Sequence, residues 1–460
     1  MNVPLKTRGL RTAALIASWV VVQTMLIAQA NSDPGVRKGA AGAGGPIAGL
    51  TLKEGKFFNA GLDEYREVAS VDGSVEGTEE GLGPRFNLTG CATCHSQPAV
   101  GGTSPAVNPQ VDPNVNPAAA SQIVLLTSLN VLSLDGPIRE VRFSTDGGVH
   151  DLFTIQGLPG TPAGCSLEQP DFAGASAAGL LRFRIPSPTF GLGLIEAIED
   201  AEILSREGNR GFGISGRANR NGNDGTVTRF GWKAQNKSLT IFAGEAYNVE
   251  QGITNELFPD ERGENGIPDS SACMRIISAP QDAVHYDLTQ PQGVLDNVNA
   301  FANFMRFLAA PPQATAGYST ASVTVTAPQI TAGEQAFDRA GCSVCHTKSM
   351  TTGNHLSAAL RFKTVKLFSD LLLHDIGTGD DIGQGAATGA EFRTAPLWGI
   401  GQRLFFLHDG RASDLLTAIN AHRNQAAEVI GYFNGATSPS PGHNLTAEQR
   451  QNLLRFLRSL

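Results

Sequence analysis

A mainly α chain is predicted, built as two helical halves with a long irregular, partly β insertion in the first. Three observations predict it. Helix-start signatures recur in both halves, at Thr51-Leu52-Lys53-Glu54, Thr331-Ala332-Gly333-Glu334 and Thr446-Ala447-Glu448-Gln449. In each, a threonine and an acidic or amide side chain three residues on can satisfy one another's free backbone N–H groups. Residues 96–230 look different, cut at short intervals by Gly, Pro, Asn and Asp. Pro311-Pro312 ends a further amphipathic helix, Asp296 to Leu308, and marks a boundary, because proline cannot continue a helix.

Taken in order, the chain opens on a charged start (Lys6, Arg8, Arg11), an apolar run from Ala13 to Ala28 and a small-x-small triplet, Ala28-Gln29-Ala30. That is the pattern of an export signal, residues 1–30. An uncleaved anchor is the alternative, but the run is shorter than the ~20 residues a spanning helix needs, so cleavage after Ala30 is favoured. The expected destination is a periplasm, without stable membrane insertion. Residues 31–48, rich in Gly and Ala, read as a flexible leader.

Residues 49–311 form the first half, with the insertion at about 96–230. Within it Gln122 to Leu126, Ile138 to Phe143 and Gly179 to Ile185 read as strands or extended segments. Residues 312–460 form the second half. A helix from Thr331 to Ala340 opens it, and a closing helix carries Leu453, Leu454, Leu457 and Leu460 as an apolar stripe. The net charge of -8, without a basic run, excludes nucleic acid as a partner, since phosphate binding needs clustered Lys and Arg.

Four of the six cysteines lie in Cys91-Ala92-Thr93-Cys94-His95 and Cys342-Ser343-Val344-Cys345-His346. Two thiols at this spacing can add to the vinyl groups of one haem, and the adjacent histidine then reaches the iron. Zinc knuckles or redox pairs would need further nearby ligands and would not explain a histidine after each pair. Two covalently bound c-type haems are therefore expected, on two cytochrome c-type domains, with His95 and His346 as axial ligands. Cys165 and Cys273 remain. In an oxidising compartment they most simply pair as a disulfide, although two buried free thiols are the other reading.

The sixth iron position separates electron transfer from chemistry on a small ligand. Its histidine candidates are His150, His285, His355, His374, His408, His422 and His443. Met350 lies too close to the second motif to swing to the opposite face. The pair His374-Asp375 reads as a structural histidine held by its neighbouring carboxylate. Glu196, in an apolar run, is either functional or paired, because a buried charge needs a partner.

The paired haem motifs, Phe392-Arg393-Thr394-Ala395-Pro396-Leu397 and Phe406-Leu407-His408-Asp409-Gly410-Arg411-Ala412 resemble the bacterial dihaem cytochrome c peroxidase superfamily. Gly191-Leu192-Gly193-Leu194-Ile195-Glu196-Ala197-Ile198, Arg229-Phe230-Gly231-Trp232-Lys233-Ala234 and Asp370-Leu371-Leu372-Leu373-His374-Asp375-Ile376-Gly377 look like its dihaem oxidoreductase, putative peroxidase (thiol oxidoreductase-like) branch. The likeness runs over nearly all of the mature chain. It implies a peroxidase-like oxidoreductase with electron transfer between a reactive N-terminal haem and a six-coordinate C-terminal haem. The superfamily's sixth ligand, a methionine fourteen residues after a histidine of the His408 type, falls here on His422. A tryptophan between the haems falls on Trp232, and a distal glutamate in an Asn-x-Glu-x-Gly segment falls on Glu250. A carboxyl in a partly apolar haem pocket can take a proton from one peroxide oxygen and give it to the other.

One departure stands out. Simple peroxidases carry a displaceable histidine soon after the first motif, and here none lies between His95 and His150. Either His150 caps the first haem or that haem has an open site, and the open site is favoured. The resemblance also implies a calcium ion between the domains, for which Asn248 and Thr254 could supply oxygen ligands. Expected partners are a small redox donor protein or a peroxide or other small substrate. The competing function class is a pure electron carrier with two six-coordinate haems, and a third is a haem sensor without turnover.

Overall fold

The computed structural model describes residues 32–112, 120–263, 273, 296–436 and 442–460; the segment read as an export signal and His285 lie outside the described residues. Among the described residues, no helix is long and apolar enough to cross a membrane.

Each half is organised by a pair of crossing helices. Helix α1 (Leu52–Arg66) starts at Thr51, whose hydroxyl accepts from the Glu54 N–H at 3.2 Å while the Glu54 carboxylate accepts from the Thr51 N–H at 2.7 Å. Helix α2 (Leu239–Gln251) starts at Ser238, and α3 (Asn297–Phe307) at Asp296. Helix α1 crosses α3 at Gly61, where a Cβ would stand 2.1 Å from the Ala300 carbonyl oxygen. Only glycine lets the backbones meet this closely. Tyr65 then packs on Phe304, the rings tilted by 38° with centres 4.4 Å apart.

The second half repeats the arrangement. Helix α4 (Ala327–Ala340) is crossed by α6 (Ala447–Leu457) at Gly333, where a Cβ would lie 2.0 Å from the Asn452 carbonyl oxygen. Phe337 and Phe456 pack beside the crossing, centres 5.5 Å apart. Helix α5 (Leu415–Asn420) lies between them in sequence. The start of α4 differs from the expectation at Thr331. Thr326 is the cap, and its N–H donates to the Gln329 side chain at 3.0 Å. Pro328 follows in the first turn, where its missing N–H costs nothing, so the earlier start wins.

The expectation of a mainly α chain is overturned: among the described residues 30% are helical and 16% lie in strands or bridges, spread over many small sheets. The helical signatures are local to the two crossing pairs. The connecting stretches are too often interrupted by Gly and Pro to sustain helices, so their backbone groups pair in short ladders. Strands β1 (Glu140–Phe143), β2 (Val149–His150) and β3 (Leu181–Arg184) form an antiparallel sheet in the order β2-β1-β3, with Val141 opposite Phe183. Strands β4 (Leu373–Asp375) and β5 (Glu391–Arg393) pair with His374 opposite Phe392. The run Gln122 to Leu126, expected to be extended, lies in the helix Ala120–Ser128. A short apolar run does not reveal its own period, and Thr127 and Ser128 return their hydroxyls to carbonyls a turn earlier.

Two apolar cores result. The first, around Phe58, Phe153, Phe230 and Phe304, also takes Met350, Leu360 and Leu371 from beyond Pro312. The second surrounds Phe337, Tyr432 and Leu454. Residues 32–48, most of the stretch read as a leader, bond to both halves. Asp33 accepts from Arg458 at 2.6 Å, the Arg37 N–H donates to the Gly401 carbonyl at 2.9 Å, and the Ile47 N–H donates to the Phe307 carbonyl at 2.7 Å.

Candidate active site

Helices α1 and α4 each lead towards a cysteine motif. Cys91–Cys94 make one helical turn, and the His95 N–H closes it on the Cys91 carbonyl at 2.9 Å. Cys342–Val344 make a tighter turn, closed by the Cys345 N–H on the Cys342 carbonyl, to which the His346 N–H also donates at 3.0 Å. The two imidazoles are held alike. Nδ1 of His95 lies 3.0 Å from the Gly102 carbonyl oxygen, and Nδ1 of His346 lies 3.0 Å from that of Phe368. Burial pulls both down to about 4, against the backbone hydrogen bonds, so each ring is neutral, with Nδ1–H donated to the carbonyl and the proton-free nitrogen being Nε2. This is the form in which histidine takes a metal.

Each motif opens on a cavity. The one beside Cys342, Cys345 and His346 spans about 1370 Å³, its opening to solvent included, and is walled mainly by apolar side chains. The one beside Cys91, Cys94 and His95 spans about 1000 Å³, likewise with its opening to solvent included. Space, paired free thiols and a neutral, oriented imidazole together fit a thioether-linked haem in each. Among the described residues, the only cluster of three metal-ligating side chains is Cys345, Asp370 and His374, so no zinc-like set surrounds the first motif.

His422 follows α5 on the wall of the larger cavity, near enough to His346 to act on its charge. Its Nδ1 lies 2.9 Å from the Ala418 carbonyl oxygen, the same kind of tie as in His95 and His346. His374 lines this cavity with both nitrogens committed, Nε2 to Asp370 at 2.8 Å and Nδ1 to Gln425 at 3.1 Å. Burial pulls it down, but the hydrogen bonds to Asp370 and Cys345 outweigh that and hold it up at about 11. Its carboxylate is thus Asp370 and not the adjacent Asp375, which binds the Asn424 amide. Met350 is buried in the first core, away from the cavity wall.

Trp232 is the one described residue found on both cavity walls. Its indole N–H donates to the Ile185 carbonyl at 2.9 Å, and the Ile185 N–H donates to the His408 carbonyl at 2.8 Å. His408 meets the indole edge-on at 6.4 Å and stacks on Phe392 at 3.9 Å. The chain neighbours of Ile185 and Trp232, Arg184 and Lys233, share a buried ion cluster with Asp380.

Glu250 stands on the smaller cavity's wall in the last turn of α2, where its carbonyl accepts from the Asn87 N–H at 2.8 Å. Burial pushes its carboxyl up to about 8; Glu140 and Asp151 push the same way, against Arg142 and Arg262. Sequence reasoning missed these four neighbours. Glu140 and Arg142 were within reach of it, since alternate residues of a strand share a face. Arg262 reaches Asp151 at 3.2 Å from more than a hundred residues away, and nothing local announces that.

Other expected residues fall elsewhere. His150 is in β2, not a turn; its Nε2 meets Asp146 at 3.2 Å, its ring stacks on Phe143 at 3.7 Å, and it does not line the cavity. Among the described residues His95 is then the only histidine on that wall. Glu196 is paired, with Arg306 at 2.8 Å, and accepts from the first N–H of α2 at 3.0 Å. Asn248 donates its amide to the Asp260 carbonyl at 3.1 Å and Thr254 is buried, with no described cluster of three acidic, Cys or His ligands around them. Cys165 and Cys273 are joined by a disulfide.

No curated protein matches the chain. Among solved structures it is similar to a chain of Kuenenia stuttgartiensis hydrazine synthase, 23% identical over 36% of this chain and 55% of that one, with a TM-score of 0.23. It thus spans about half of that chain's length. It is also similar to a MauG-like protein associated with microbial copper homeostasis, 16% identical over 60% of this chain and 89% of that one, with a TM-score of 0.26. TM-scores this low support no argument about fold or function. The profile of the family described as di-haem oxidoreductase, putative peroxidase matches residues 176–460, which include Trp232, Glu250, the second haem motif and His422; with more than half of its length matched, the chain belongs to that haem-dependent family.

Proposed function

We propose that the protein is an exported, periplasmic dihaem c-type oxidoreductase with peroxidase-like activity. Residues 49–311 would carry the ligand-binding haem on Cys91, Cys94 and His95. Residues 312–460 would carry a six-coordinate haem on Cys342 and Cys345, between His346 and His422. The observation that carries the reading is Trp232, which forms part of both cavity walls.

When bound, haem supplies the one-electron chemistry and the metal at which a peroxide can be reduced. The chain supplies the rest. Ile185 fixes the indole between the two cavities, so an electron from a small donor protein has a short path from the second to the first. Glu250, held at about 8, can both accept and return a proton near neutral pH, as O–O cleavage requires. Reduction of hydrogen peroxide to two waters balances with two electrons and two protons, and the carboxyl relays a proton from one oxygen to the other. With His150 turned onto Asp146, the described wall offers Glu250 and no second imidazole to an incoming ligand.

The test is a spin-state titration of the haem-loaded protein with and without Glu250→Gln. The reading expects a high-spin ferric signal that shifts with cyanide or peroxide, and peroxide decay slowed by ~10²–10⁴-fold in the variant. Decay unchanged in Glu250→Gln overturns the assignment of Glu250. Two low-spin haems in every redox state make the protein an electron carrier instead.

A further inference from the structure

Two guanidinium groups on the wall of the larger cavity make no salt bridge with a described residue. Arg403 is 8% exposed, and its Nε and Nη2 are buried with no hydrogen-bond partner. Its Cζ stands 5.9 Å from the centre of the Trp232 ring. Arg393, on β5, lines the same cavity and spends Nε on the Gly231 carbonyl at 3.2 Å and Nη1 on that of Thr394 at 3.5 Å, both uncharged. The carboxylate that acts on Arg393, Asp370, is already bound by His374. Arg184 and Lys233 are matched by Asp380, and Arg458 by Asp33; Arg37, as buried and with Nε and Nη2 also unpartnered, does not line this cavity. Burial pulls Arg403 and Arg393 down to about 10, which still leaves both charged at neutral pH. Arginine does not shed its proton in proteins, so an unpaired guanidinium in the interior is costly unless something brings it an anion.

We propose that Arg403 and Arg393 form the carboxylate clamp of the C-terminal haem, binding its propionates and turning the charged edge of the porphyrin towards Trp232. The inference rests on the reading that haem occupies this cavity. The lining supports the orientation. Phe337, Leu415, Leu453 and Leu457, from α4, α5 and α6, offer only apolar surface, whereas both guanidiniums belong to the 393–403 stretch that runs past Trp232. A guanidinium takes a carboxylate through two parallel N–H donors, and Arg403 has Nε and Nη2, the two that form such a fork, both free. The clamp also affects the bridge. A bare cation near the indole opposes removal of an electron from it, and a bound propionate neutralises that cation. Loading of the haem would then itself make Trp232 a better electron relay.

The experiment measures the midpoint potential of the C-terminal haem in the two-haem protein, at acid and alkaline pH, for wild type, Arg403→Lys, Arg403→Gln and Arg393→Gln. Loss of the cation leaves a propionate uncompensated beside the iron, which favours the ferric state. Arg403→Gln should shift the ferrous–ferric equilibrium at least tenfold towards ferric, about 59 mV for one electron. Its potential should also vary more with pH, because the freed propionate now titrates. Arg403→Lys, which keeps the charge and loses the fork, should fall in between. Should Arg403→Gln yield no loaded protein, the same comparison is read from Arg403→Lys and Arg393→Gln. Wild-type potentials and pH profiles in the loaded variants overturn the clamp. A wild-type mass lacking two porphyrins defeats the haem reading itself, which is a different failure.

Discussion

Asp380 and Asp381 are neighbours in the chain, and each binds an arginine of β3 at 2.6 Å. They differ in burial. In the Arg182–Asp381 pair the side chains are 26% and 70% exposed, against 5% and 2% in the Arg184–Asp380 pair. Asp380 also holds the fully buried Lys233 at 3.0 Å and accepts from the Ile382 N–H at 3.1 Å. Removing its charge takes the ion-pair partner from two interior cations, a loss that costs ~3–5 kcal/mol when one partner of a buried pair is deleted. Removing the exposed charge should cost no more than ~1 kcal/mol. Asparagine is the substitution in both cases, because Asp381 has φ +63°, which asparagine tolerates and most residues do not. Urea unfolding of the haem-loaded protein, repeated at low and high salt, measures the difference. Only the Asp381→Asn loss should shrink with salt. Burial raises the Asp380 carboxyl, but Arg184 and Lys233 outweigh it and hold it below 3.8. Its contribution is therefore complete above that value and lost as pH falls through the lower, folded pKa. Equal losses from the two variants would refute the argument that burial, not geometry, sets the worth of these pairs.

Three further outcomes are expected. Gly333→Ala drives a methyl into the Asn452 carbonyl and should destabilise the C-terminal half by at least ~1–3 kcal/mol, whereas Gly55→Ala, with open space around it, should not; thermal unfolding compares them. Glu250 folds largely protonated, at about 8 against 4.5, so its contribution is complete below pH 4.5 and lost as pH rises through 8. The thermal midpoint of Glu250→Gln should accordingly fall less than that of wild type across that window, and parallel curves would count against the buried carboxyl. His422→Ala should convert the C-terminal haem from low to high spin, as read by its absorption spectrum, and a persistent low-spin signal would give the sixth position to another residue.

Some features could be read locally because they are written locally. The starts of α1 and α6 are each set within four residues, since Thr51 and Thr446 find their hydrogen-bond partners three positions on. The same rule misplaced α4, where Thr326 and Gln329 make an equal pair one turn earlier and Pro328 favours it. The mainly α expectation failed for a related reason. Helix starts announce themselves, while ladders such as β1–β3, whose partners lie some forty residues apart, leave only weak local traces.

The sequence by itself determined the chemistry on offer: two cysteine pairs each followed by histidine, a tryptophan, an isolated glutamate and few rival ligands. Only the tertiary structure decided which of these share a space. It set Trp232 on both cavity walls, turned His150 onto Asp146, gathered Glu140 and Asp151 around Glu250, and left Arg403 without a salt bridge to a described residue. The physical reason is that burial and charge pairing are sums over neighbours brought together from distant parts of the chain. A motif names a donor or an acid, but the field around it exists only once the chain has closed.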